Sequence, residues 1–362
     1  MAVEKTLISC AKAKDKDGFI ELLNNGANVN SIDHNGNTVL MLASMNGWGE
    51  LASNILDKGA DIHAKNNFEA TALMLAAEEG NINTINTLIT QLIKRTKASE
   101  QNQQKEKLLE AKKNTGETAL IRAARNGKAN SIKSLLNHGA DIKATNNDGM
   151  TALMIAAKHG QKEAINTLLD RGASIEAKNN NGMTALMLAA KHGQKEAIKA
   201  LLDRGANIEA ENNKATALMH AAANNKPEAI TFLIERGANK EARNINDMTI
   251  LIMAASYGNT EAVKALLEGG ADVHATFDGG ATALLSAAGN NHAAIVTALL
   301  DKGANIEAKN KFQRTALIVA ASQGKTAAVI TLLNRGADIE AKDKDGNTAL
   351  MFAAEKCARH GC

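Results

Sequence analysis

Aromatic residues are scarce in this chain: one tryptophan, one tyrosine and six phenylalanines among 362 residues. The apolar 44% rests instead on Ala, Leu, Ile and Met, which favour helices over sheets. Cysteine is scarcer still. Cys10, Cys357 and Cys362 are an odd number and too few for a disulfide framework, so a reducing compartment fits. Proline occurs once, at Pro227. No stretch reaches the roughly 18 apolar residues that a membrane helix needs, and the opening MAVEKTLISCAKAKD lacks the apolar core of a secretory signal. Charge of one sign is missing too. With 42 basic and 39 acidic residues, the net charge of +3 is no argument for nucleic-acid binding.

What the chain has is repetition. Residues 151–165 read TALMIAAKHGQKEAI and residues 184–198 read TALMLAAKHGQKEAI, one change in fifteen positions at a shift of 33. The threonine of that phrase recurs at Thr38, Thr71, Thr118, Thr151, Thr184, Thr216, Thr249, Thr282, Thr315 and Thr348. The spacing is 33 throughout, except 47 between Thr71 and Thr118 and 32 between Thr184 and Thr216. A second marker, Gly-Ala, keeps the same period and is missing only where the long interval lies. Self-similarity at this period overrules any domain count based on length.

Residues 146–178 show how one copy works. Asn147-Asp148-Gly149 signals a turn. Thr151 stands where a helix N-cap belongs, and Leu153, Ala156 and Ala157 follow at helical spacing. His159-Gly160 ends that helix through a left-handed glycine. A second helix with the stripe Ile165, Leu168 and Leu169 ends at Arg171-Gly172, and an extended segment leads to the next turn. A unit this small must share its apolar surfaces with neighbours, so stacked copies form one continuous core.

The pattern N-x-G-x-T-A-L-M-x-A-A-x-x-G-x-x-E-A-I-x-x-L-L-x-x-G-A-x-I-x-A resembles the ankyrin repeat, over nearly the whole chain from about Thr6. The resemblance implies an all-α fold: an ankyrin-repeat solenoid of helix-turn-helix units joined by β-hairpin-like loops. It implies a single array over 1–362. Residues 1–32 are expected as an N-terminal capping half repeat, followed by about ten further repeats. An insertion is expected within about 91–113, and the last repeat is incomplete at 343–362. The family's T-P-L-H is absent. Ala, Val or Ile replaces its proline, and Met, Ile or Leu its histidine. Ala is a good helix former, so the first turn loses little. The TALM phrasing resembles bacterial ankyrin proteins, some of which act as effectors inside a host cytosol.

Departures from the pattern mark places of interest. In the insertion, 98–104 reads as a solvated loop and KEKLLEAKK as helix. Lys94, Arg95, Lys97, Lys105, Lys107, Lys112 and Lys113 there outnumber Glu100, Glu106 and Glu110, as a docking element for an acidic partner or as a solvated excursion. Glu69, Lys214, Asp247 and Gln313 replace the turn glycine, so those tips are expected to be distorted. The last copy lacks a second helix, which leaves an apolar face open.

Candidate chemistry is thin. Cys357, His360 and Cys362 are three soft ligands where a closed zinc site takes four, so no metal and no cofactor are expected. His159 and His192 recur beside Lys158 and Lys191, like beside like, with no nucleophile or orienting acid. The reading is non-enzymatic. In the family, the loop tips and the ends of the first helices face a concave binding groove. Carried onto this chain, those places hold Arg125, Met150, Lys158, His159, Met183, Lys191, His192, Met248, Ser256 and Tyr257, with Arg171, Arg204 and Arg236 placed near the same side. Cations interleaved with methionine and one tyrosine suit another protein carrying an acidic or mixed acidic–apolar patch. The alternative is electrostatic binding of nucleic acid or an anionic membrane through the insertion and the central ridge, which salt would weaken steeply.

Overall fold

A computed structural model describes residues 5–360. Each repeat is a pair of short antiparallel helices. In the copy that begins at Thr151, Ala152–Lys158 is the first helix and Lys162–Asp170 the second. The marker threonines are N-caps in extended conformation. Thr151 Oγ1 accepts the Met154 N–H at 3.3 Å, and Thr249 and Thr315 do the same for Ile252 and Ile318 at 3.4 Å. One orphan donor of each helix is thereby satisfied. Leu153, Ala156, Ala157, Ile165 and Leu168 are buried as expected, at no more than 1% exposure.

The helices form two layers. First helices pack on first helices, as Ala72–Glu79 does on Ala119–Arg125. Second helices pack on second helices, as Gly49–Asp57 does on Ile82–Arg95. The chain divides into two compact bodies of this same construction. One comprises residues up to 185 together with 199–206, the other residues 186–198 and 207 onward.

Between repeats the chain makes a hairpin tip. A buried or half-buried Asn or Asp governs most of them, with Lys113 and Phe277 at that place in two tips. Asn146 Oδ1 accepts from Asp148 N at 3.0 Å and from Met150 N at 2.9 Å, and Asn179 repeats this with Asn181 and Met183. Neighbouring tips are tied in turn, with Asn180 N–H donating to Asp148 O at 3.1 Å. Gly149, at φ +74°, needs to be glycine twice over: a Cβ there would lie 2.2 Å from Asn180 Oδ1.

The expected distortion of the other tips does not occur. Glu69, Asp247 and Gln313 take the glycine's left-handed conformation, at φ 60°, 58° and 55°. The Asx bonds and the adjacent tips hold the turn against the strain of a Cβ at positive φ. Of the four tips without the glycine, ENNKAT changes type. With one residue fewer, Asn213 and Lys214 are both left-handed and Asn212 bridges to Ala215, as in a two-residue hairpin.

Two further expectations are corrected. The N-terminal segment has both helices of a repeat, Leu7–Ala13 and Lys16–Asn24, with Thr6 as the N-cap of the first. In the insertion, Ile82–Arg95 does run past the nine residues usual for a second helix, but residues 101–104 are helical, not loop, within Gln101–Leu109. That helix is docked through Leu108 and Leu109, 1% and 2% exposed. In the last copy a single helix, Ala349–His360, leaves Leu350 at 77% and Met351 at 55% exposure. Among the described residues no helix is long and apolar enough to cross a membrane.

Candidate interaction surface

The face to examine is that of the first helices and the hairpins leading into them. Four places in each repeat contribute: the residue before the threonine, and those four, seven and eight places after it.

In the first body this face carries an ion network. Glu117, before its threonine, is 1% exposed. Its carboxylate pairs with Arg125 and lies 3.9 Å from both Arg122 and Lys113. Arg122 pairs with Glu78 as well, while its Nε is buried without a partner. Arg125 Nη1 donates to His159 Nε2 at 2.8 Å. A guanidinium has no acceptor, so that ring nitrogen carries no proton. Burial, then Arg125 and Lys158, lower the His159 pKa from its ordinary value. Arg125 is thus neutralised from within and is not the uncompensated cation that its sequence position implies. Lys158, half-buried on the next helix, makes no ion pair among the described residues.

Four of the expected contact residues are placed otherwise. Met150 and Met183 are 7% and 5% exposed, closed in beneath their own hairpins, and offer no surface. Their backbone N–H groups serve the Asx turns described above. Arg171 and Arg204 cap the ends of second helices and belong to the other layer. Arg171 Nη1 donates to Asn137 Oδ1 at 2.8 Å, and Arg204 pairs with Asp170, in a ladder that ties each second helix to the one before.

In the second body the face holds Lys191 and His192, both half-buried, then Met248, half-buried, and Tyr257, 59% exposed. His220 occupies the place that Arg122 has in the first body, and its Nε2 lies 2.7 Å from Asn212 Oδ1. Burial first and then Lys191 lower its pKa, so the neutral form is favoured. Sequence reasoning missed Glu117, Arg122 and His220. The signal was available: at the fourth place after the threonine, Ile155 and Leu188 give way to a charged or titratable side chain.

The insertion's cations are partly taken up inside the protein. Arg95 donates to Asp57 Oδ1 at 2.6 Å and also to Leu56 O, and Lys112 donates to Thr145 O at 2.8 Å. Lys113 faces Glu117 as above. Glu110 accepts the Asp141 N–H at 2.8 Å, and burial raises its pKa.

A cavity of about 540 Å³ in the first body is lined by Lys16, Trp48, Glu50, Asn83, Asn86 and Thr87 among others, with no histidine or cysteine. Of the three soft residues near the C-terminus, Cys362 lies outside the described residues, and no group of three potential metal ligands occurs among those described.

Stacked helix pairs with tied hairpin tips, displaying one variable face, define a repeat-built interaction domain. Family models for ankyrin repeats match residues 7–104, 89–179, 174–244 and 239–310, and a related ankyrin-repeat model matches 299–353. The chain belongs to the ankyrin-repeat family. It is similar to the human ASB11 ankyrin repeat domain, at 27% identity and a TM-score of 0.54 over 61% of this chain and 99% of that one. It is also similar to the ankyrin repeat domain of Bcl-3, a member of the IkappaB protein family, at 32% identity and a TM-score of 0.53 over 60% and 99%. Among curated proteins, alpha-latroinsectotoxin-Lt1a of Latrodectus tredecimguttatus is 41% identical over 70 residues. That match spans 19% of this chain and 5% of the toxin. Ankyrin-repeat domains generally mediate protein–protein interaction, and the family's members are typically scaffolds, not enzymes.

Proposed function

We propose that this protein is a non-enzymatic scaffold that holds a partner protein against its first-helix face. Tyr257 carries the reading. A large aromatic residue, the chain's one tyrosine, stands 59% exposed at the end of a first helix whose other face is fully packed. Exposed aromatic anchors of this kind dominate protein interfaces. Lys158 in the first body and Lys191 in the second add positive charge that forms no ion pair among the described residues, which suits carboxylates on the partner. His159, His192 and Met248 complete the display.

The test is affinity capture from a cell lysate with the wild-type chain and with Lys158→Glu and Lys191→Glu. The partner's yield is expected to fall about tenfold, a loss of about 1.4 kcal/mol. Arg171→Glu and Arg204→Glu, in the second-helix layer, are the controls and should leave capture unchanged. A partner that survives the lysine reversals and is lost with the arginine ones would place binding on the other layer.

Pairing of Arg122, Arg125, Arg95 and Lys113 with acids of the chain favours a protein partner over a phosphate backbone or an anionic membrane. The scarcity of cysteine supports work in a reducing cytosol. The TALM phrasing supports a bacterial effector that meets its partner in a host cell.

A further inference from the structure

We infer that the first-helix face of the second body, around Tyr257, takes an uncharged, extended segment of the partner polypeptide, an inference that rests on the protein-binding reading above. At the seventh place after the threonine, where Lys158 and Lys191 stand, the later repeats have Ala223, Ser256, Gly289 and Ser322. From Ala215 to Asn290, none of the four face-forming places holds Asp, Glu, Lys or Arg. Tyr257 rises from the middle of this charge-free run. Met253, 6% exposed, and the half-buried Met248 give it an apolar floor.

Three polar side chains along the run each turn a donor onto their own helix. Asn224 donates its amide to His220 O, and Asn290 to Ser286 O, each at 2.9 Å. Ser256 donates its hydroxyl to Ile252 O at 2.9 Å. These donors are engaged with their own helices. The Oδ1 atoms of Asn224 and Asn290, both on exposed residues, remain as acceptors. The fitting partner therefore brings donors at intervals and apolar side chains between them. An extended backbone with free N–H groups does both. A carboxylate or ammonium on the partner set against Tyr257 would lose water and meet no opposite charge at the four face-forming places, which is unfavourable. Lys191 lies outside the run and is left for an acid elsewhere on the partner.

A random peptide library displayed on phage is selected against the full-length chain, and enriched peptides are synthesised and titrated by fluorescence anisotropy at low and high salt. Peptides free of Asp, Glu, Lys and Arg in their central residues are expected, with affinity that changes little with salt. Tyr257→Ala should weaken them about tenfold. Asn224→Asp, exposed and of the same shape, should weaken them too by bringing charge into the run. Arg171→Glu, in the second-helix layer, should leave them unchanged. Circular dichroism and thermal melts check that each variant is folded. Acidic peptides, or peptides indifferent to Tyr257→Ala, would overturn the inference. If Lys158→Glu abolishes their binding, the broader protein-binding reading survives. If no variant affects any peptide, or none is enriched, both readings fall.

Discussion

Arg125 reaches from its helix to the ring of His159 in the next repeat, Nη1 to Nε2 at 2.8 Å, while its other terminal nitrogen pairs with buried Glu117. One side chain thus joins two repeats and ends the positive charge that the sequence places there. Several expected behaviours follow from this junction and from the tips beside it.

Protonating His159 would set two cations against each other. Its pKa is lowered in the folded state, as are those of His220 and His138, each chiefly by burial. As pH falls through the ordinary histidine range, near 6.5, the unfolded chain binds protons that the folded chain refuses. Stability therefore declines from about pH 7.5 towards pH 5.5. Urea midpoints measured across that range should fall for the wild type. They should fall less for a His138→Gln, His159→Gln, His220→Gln triple variant.

Glu117 is the hub of the network. Glu117→Met alone leaves Arg122 and Arg125 without their buried acid and should destabilise the fold by about 3–5 kcal/mol. Glu117→Met combined with Arg122→Ile copies the Met150 and Ile155 pair that the next repeat uses, 7% and 0% exposed. The double variant should recover most of the loss. Chemical denaturation of the three proteins measures this directly, and a double variant as unstable as the single one would count against it.

Gln313 holds a left-handed turn at φ 55°, where a side chain is strained. Gln313→Gly should stabilise the protein by about 0.5–1 kcal/mol. Gly149→Gln, the reverse change, should cost more than that, because its Cβ would press on Asn180. Thermal melts of both variants give the two signs.

Leucines of similar appearance differ in consequence. Leu109 anchors the inserted helix at 2% exposure, and Leu109→Ala should cost about 2–5 kcal/mol and open residues 96–110 to protease. Leu350, 77% exposed, should accept lysine within about 0.5 kcal/mol. Limited proteolysis and melting temperatures separate the two.

Much of the fold was legible. The period located the helices because threonine caps and glycine stops act within a turn or two of chain. The insertion was harder. The sequence 98–104 is polar enough for a loop, yet Leu108 and Leu109 draw the preceding residues into a docked helix. Thr6 was passed over as a marker because Leu-Ile-Ser does not look like Ala-Leu-Met, although its hydroxyl caps the same position, accepting from Ser9 N at 3.1 Å.

The interaction face was legible in register and not in character. Met150, Met183 and Met248 hold the same place in three copies, but the first two are buried and the third is not. The counterpart of Met248 one repeat on is the smaller Ala281. Arg125, Arg171 and Arg204 all read as cations available to a partner. Their fates depend on Glu117, Asn137 and Asp170, residues one helix pair away in space or eight or 34 places away in sequence.

By itself the sequence determined the repeat, its caps and its turns, since those depend on neighbours along the chain. Only tertiary structure decided which side chains stay exposed and which charges remain uncompensated. Burial and ion pairing are set by what the adjacent repeat brings within a few ångströms, and a periodic text does not state that on its own.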